Sequence, residues 1–182
     1  SMSINIAIVG KPNVGKSTLI SRLSKARPKI ADYPFTTLAP NLGVVAPPGR
    51  PSFVVADVPG LVAGAHKGVG LGLRFLRHIE RTRTFLHLLE LTSDPDRDPI
   101  KDFEVISEEL ALYDKAEGSE IAKNPTVVAI NKIEDPEIGE LCEEEYKSYF
   151  EERDIPFFVI SALTGAGLIP MLHEVADVLD RA

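Results

Sequence analysis

The stretch Gly10-Lys11-Pro12-Asn13-Val14-Gly15-Lys16-Ser17 constrains this chain more than any other feature. It fits the pattern G-x-x-x-x-G-K-[ST], whose glycines let successive backbone N–H groups turn inward around phosphate oxygens. An apolar run over residues 4–9 leads into it, and a helical pattern over 17–25 follows. Such a helix points its positive end at the same oxygens. Strand, loop and helix together are the context the pattern requires. The backbone of Gly10, Pro12, Asn13, Val14, Gly15, Lys16, Ser17 and Thr18 is therefore expected to cradle phosphates. Lys16 supplies a point charge to the outer phosphates, and the Ser17 hydroxyl a ligand for Mg²⁺.

The remaining pattern alternates. Residues 43–46 and 52–57 read as strands joined by a Pro-Pro-Gly turn, and 85–91, 126–130 and 157–160 as further strands. Residues 71–82, 100–112, a Glu-rich stretch after 132, and 170–181 read as helices. Alternation of this kind predicts βαβ units around a mostly parallel sheet. The expected fold is three-layer α/β, with a six-stranded sheet containing one antiparallel strand and helices on both faces. Prolines at 28, 34 and 40 predict that 28–42 is irregular. Residues 1–3 read as a lead-in with a tag remnant, and 4–182 as one domain.

Three more short motifs each follow a predicted strand. Asp57-Val58-Pro59-Gly60 places a carboxylate where it can hold Mg²⁺ and a glycine N–H where it can touch a γ-phosphate. Asn131-Lys132-Ile133-Glu134 offers an acid able to accept hydrogen bonds from guanine's N1–H and 2-amino group. Ser161-Ala162-Leu163 follows the last strand, where the Ala162 N–H and Asn131 would address the guanine carbonyl. Ligands of open α/β sheets bind beyond the carboxyl ends of strands, so the four motifs are expected along one edge.

With these residues in view, the chain resembles the G domain of the Obg (CgtA) family of GTPases, which have the P-loop NTPase fold. Its most specific stretches are residues 32–43, beginning Asp32-Tyr33-Pro34-Phe35-Thr36-Thr37, and residues 60–82, with Gly68-Val69-Gly70-Leu71-Gly72 and Phe75-Leu76-Arg77-His78. The resemblance implies that 28–43 and 60–72 are two switches. It gives a threonine of the Thr36-Thr37 pair, Thr37 by preference, to Mg²⁺ and the γ-phosphate. It implies GTP and GDP as ligands, slow hydrolysis, and a role with the ribosomal large subunit and its RNA in growth and stress control. Lys16, Thr37, Gly60 and Asn13 are then the expected catalytic set, with Ser17, Thr37 and Asp57 at the metal.

Two departures bear on specificity and rate. The acid of the base motif is Glu134 instead of the family's Asp, and Asp135 stands next to it as a competitor. That leaves an ATP-tolerant binding module as an alternative, and a nucleotide kinase as a remoter one. Leu61 stands where small Ras-like GTPases carry a water-orienting Gln. Asn13 stands where related GTPases use an Asn to hold K⁺, against plain loop hydrogen bonding.

Charge divides the chain. Residues 1–90 carry 12 Lys/Arg against 4 acids, and the remainder 8 against 23. The basic part suits phosphates or RNA, and Arg74, Arg77 and Arg81 share one helical face within it. The acidic part reads as solvated helix surface. No stretch approaches the roughly 18 apolar residues of a membrane span. The single cysteine, Cys142, suits a reducing compartment and reads as a surface or helix residue. The expectation is a cytoplasmic, monomeric domain.

Overall fold

The computed structural model describes residues 4–12, 14–30, 41–58 and 82–181. Among these residues seven strands form one sheet: β1 Ile6–Val9, β2 Lys29–Ile30, β3 Asn41–Val45, β4 Phe53–Asp57, β5 Thr84–Glu90, β6 Thr126–Asn131 and β7 Phe157–Val159. Their spatial order is β2-β3-β4-β1-β5-β6-β7. β1 pairs in parallel with β4 and β5, and parallel pairing continues through β6 to β7. β3 is antiparallel to both its neighbours. The single antiparallel strand is as expected; the count of six is corrected to seven. The added strand is β2, two residues beside Pro28, paired as Lys29↔Leu42 and Ile30↔Asn41. Pro28 fixes its own φ and lacks a donor, but the two residues after it are free to join an edge.

Among the described residues, four α-helices cover the sheet: α1 Lys16–Leu23, α2 Pro99–Glu117, α3 Pro136–Glu151 and α4 Leu168–Arg181. Successive strand residues point to opposite faces. Ile6 and Ile8 pack with Leu19 and Ile20 of α1 and Met171, Leu172 and Val175 of α4. Ala7 and Val9 pack on the other face with Ile106, Leu110 and Tyr113 of α2, and Val128 and Ile130 with Tyr146 and Phe150 of α3. β5 is central, and all seven of its residues are buried. The three layers follow from this division.

Local chemistry sets the helix limits. Asp98 caps α2, accepting a hydrogen bond from Ile100 N–H with Pro99 in the first turn. It runs to Glu117, five residues past the expected stop, and Gly118 caps it in the left-handed region at φ 71°. Arg50, in the turn between β3 and β4, bonds to the His173 carbonyl, to Asp177 (2.5 Å) and to Asp180 (2.8 Å) of α4. Cys142 lies on α3 but is buried, so the surface reading is corrected: it faces inward with Tyr146 and Phe150. The neighbouring Glu140, Glu143, Glu144 and Glu145 are outward, as expected of the acidic part. The helix expected over 71–82 lies largely outside the described residues.

Candidate functional site

The six strands that run the same way, β1, β2, β4, β5, β6 and β7, end at the same edge of the sheet, and the described residues of the four motifs sit there. A cavity of about 430 Å³, bordered by Asn124, Pro125 and Asp154, is at the opposite edge and contains no motif residue.

After β1 the chain reaches the phosphate loop. A Cβ on Gly10 would sit 2.6 Å from the Leu88 carbonyl oxygen, so only glycine lets the loop lie against β5. Gly15 caps α1 in the left-handed region at φ 99°, and a Cβ there would be 2.6 Å from Asn131 Nδ2. Pro12 and Thr18 are exposed, and Val14 is buried beneath the loop. Lys16 Nζ donates to the carbonyls of Gly10 (3.0 Å) and Lys11 (3.5 Å). Burial lowers the pKa of Lys16, against a smaller upward pull from Asp57.

Asp57 ends β4. Its Oδ1 accepts the Asn41 backbone N–H at 2.8 Å, and Asn41 Nδ2 donates to Ser17 Oγ at 3.1 Å. Burial raises the Asp57 pKa, opposed by the Asn41 hydrogen bonds and by Lys16. Asn41 thus joins the two expected Mg²⁺ ligands that this structure describes. Sequence reasoning gave it no such role, because a contact between β3 and α1 has no local pattern.

Asn131, last in β6, reaches two ways: its Nδ2 donates to the Val14 carbonyl (2.9 Å), and its Oδ1 accepts the Ala162 N–H (2.9 Å). The residue expected to address the base therefore ties the phosphate loop to the loop after β7. Ser161 is buried, its Oγ accepting the Thr164 N–H, and Leu163 is exposed. Lys132 has a left-handed backbone, φ 72°, unusual for a residue with a Cβ. Glu134 is exposed. Asp135 caps α3 through Oδ1 to the Glu137 N–H at 2.9 Å, which occupies that oxygen at the helix end. Asn13, Thr36, Thr37, Gly60, Leu61, His66, Arg74, Arg77 and Arg81 lie outside the described residues.

An ion-pair chain runs beneath this edge, unforeseen in the sequence. Lys11 of the phosphate loop pairs with Asp102 of α2 at 2.7 Å. Arg97 pairs with Asp102 at 2.7 Å and with Glu90, last in β5, at 3.6 Å. Glu90 pairs with Lys132 at 2.6 Å. Burial pushes the Asp102 pKa up, but hydrogen bonds from Lys11 and Arg97 outweigh it and hold the group below the usual carboxylate range.

Residues 5–132 match the family model described as 50S ribosome-binding GTPase. Over 176 residues the chain is 50% identical to the GTPase Obg of Solibacter usitatus, covering 95% of this chain and 50% of that protein. Over 182 residues it is 52% identical to the GTPase Obg of Nostoc punctiforme, covering 97% and 50%. The chain spans about half the length of the curated relatives it matches. Among solved structures it is similar to the G domain of the T. maritima FeoB iron transporter, with TM-score 0.70, 18% identity, and 96% and 98% of the two chains covered. An S. thermophilus NFeoB mutant bound to GDP gives TM-score 0.70 at 16% identity, covering 96% and 62%. Identities this low speak for the fold alone, whereas the family model and the Obg relatives speak for descent. The chain belongs to the 50S ribosome-binding GTPase family, as an Obg-type G domain.

Proposed function

We propose that this domain binds GTP and GDP with Mg²⁺ along the carboxyl edge of its sheet, hydrolyses GTP slowly, and acts as a switch read by the ribosomal large subunit. The observation that carries the nucleotide reading is the phosphate cradle: two positions with no room for a Cβ, and Lys16 folded over the loop's own carbonyls. A phosphate gives that ammonium a better partner than a carbonyl, and its charge offsets the burial that depresses Lys16. Ser17 and Asp57 are hard oxygen donors joined through Asn41, a donor set that suits Mg²⁺, with Thr37 expected to complete it. The metal, when bound, neutralises charge on the transferred phosphoryl group.

The chain's own residues divide the remaining work. Backbone N–H groups of residues 14–18 and the start of α1 hold the phosphates in place. Glu134 is the carboxylate for guanine, since Asp135 is engaged at the α3 cap. Gly60 is expected to meet the γ-phosphate. With Leu61 where a polar residue would orient water, unassisted turnover is slow, roughly 10⁻⁴ to 10⁻² s⁻¹, and Asn13 with K⁺ supplies the additional positive charge.

The test is a calorimetric titration of GDP against ADP. GDP is expected to bind far more tightly, and Glu134→Ala to cost about 1–3 kcal/mol of GDP binding through unpaired donors. Equal affinity for the two nucleotides would remove the guanine assignment and favour the ATP-tolerant reading.

A further inference from the structure

Lys132 occupies a backbone conformation that costs a residue with a Cβ on the order of 1–2 kcal/mol. Such a conformation persists where surroundings over-determine it. The Asn131 hydrogen bonds fix the residue before it, and Glu90 grips its ammonium at 2.6 Å. Glu90 is 7% exposed, so its charge is not solvated by bulk water and depends on its partners. One of those partners, Arg97, also grips Asp102, which in turn holds Lys11 in the phosphate loop. The Lys11 carbonyl is one of the two that receive Lys16 Nζ. Three cations and two carboxylates thus form one continuous chain from the phosphate loop to the base motif.

We propose that Glu90 and Asp102, bridged by Arg97, are positioning residues that set Lys132 and Lys11 relative to one another, so that the base and phosphate halves of the site are oriented as a unit. The proposal rests on the guanine-nucleotide reading above. Glu90 does its part through Lys132: by holding the ammonium at the end of β5 it fixes where the Lys132 side chain lies along the base. Arg97 carries the orientation onward to the phosphate loop. The cluster's charges sum to one positive, which leaves the edge favourable to phosphate.

Double-mutant cycles on GDP affinity test this in the chain as it stands. Glu90→Gln keeps the shape of the side chain and removes its charge; it is expected to weaken GDP about tenfold, within the range typical of coupled sites. The same change made in a Lys132→Ala background is expected to have almost no further effect, and Glu90→Asp to recover part of the loss. Arg97→Met should abolish the non-additivity between Lys11→Ala and Lys132→Ala. A role in packing alone predicts that Glu90→Gln costs the same in both backgrounds, with no recovery by Asp, and that result overturns the proposal while leaving the guanine reading intact. A wild-type chain that binds no GDP overturns both. Thermal unfolding of each variant separates lost orientation from lost fold, because a folded Glu90→Gln variant with unchanged GDP affinity also refutes the proposal.

Discussion

Asn131 turns both ends of its side-chain amide on the protein: Nδ2 donates to the Val14 carbonyl and Oδ1 accepts the Ala162 N–H, both well inside the molecule. Truncation would leave a buried acceptor and a buried donor without partners, the expensive half of hydrogen-bond energetics. Asn131→Ala is expected to lower unfolding free energy by about 1–3 kcal/mol in urea titration and to weaken GDP at the same time. Unchanged stability would mean that the two loops do not need the strap. Gly15 shows why the same place admits no side chain: its backbone is left-handed, and the space beside it already belongs to Asn131.

On the scale of elements, β5 combines a fully buried strand with an ionisable residue in its middle. His87 stacks at a tilt on Phe103, ring centres 4.9 Å apart, and burial drives its pKa from 6.5 down to about 3. Asp102 pulls the other way and Lys16 adds to the lowering. The unfolded chain therefore binds this proton and the folded one does not over the interval between those values. Stability is full above 6.5 and declines as pH falls towards 3. The loss from this one group amounts to about 2 kcal/mol by pH 5. His87→Leu is expected to flatten that part of the acid limb in a pH series of denaturant melts; an unaltered slope would show that another group governs it. His87 was visible in the sequence only as one letter in an apolar run. The strands, the phosphate loop and the strand-end motifs were legible because each carries its own periodicity or spacing. Asn41, Glu90, Arg97 and Asp102 were not, because their partners lie 5 to 91 residues away along the chain and are brought together only by the fold. The two-residue β2 was missed for a related reason: an edge strand that short has no alternation to detect.

For the whole molecule, the uneven charge has a spatial counterpart. Lys25, Arg27 and Lys29 are exposed near the β2 edge, and no Asp or Glu occurs between residues 4 and 31. Arg74, Arg77 and Arg81 belong to the same basic part of the sequence. A surface that meets RNA phosphates releases counterions on docking, and its affinity falls steeply with salt. Reversing the charge of Arg74, Arg77 and Arg81 together is expected to weaken association with ribosomal large subunits and to flatten its salt dependence, with GDP binding almost unchanged. Normal association of the triple variant in the GTP state would exclude that face as the docking surface. The buried position of Cys142 has a consequence of another kind. It is the chain's only thiol, it lies between α3 and the sheet, and burial and Glu145 both raise its pKa, so little of it is thiolate at neutral pH. A thiol-directed dye added to the native protein must wait for α3 to lift away. Because α3 begins at Pro136, two residues beyond the Asn131–Glu134 motif, the labelling rate of an unmodified chain is a stopwatch for how often that end of the molecule breathes.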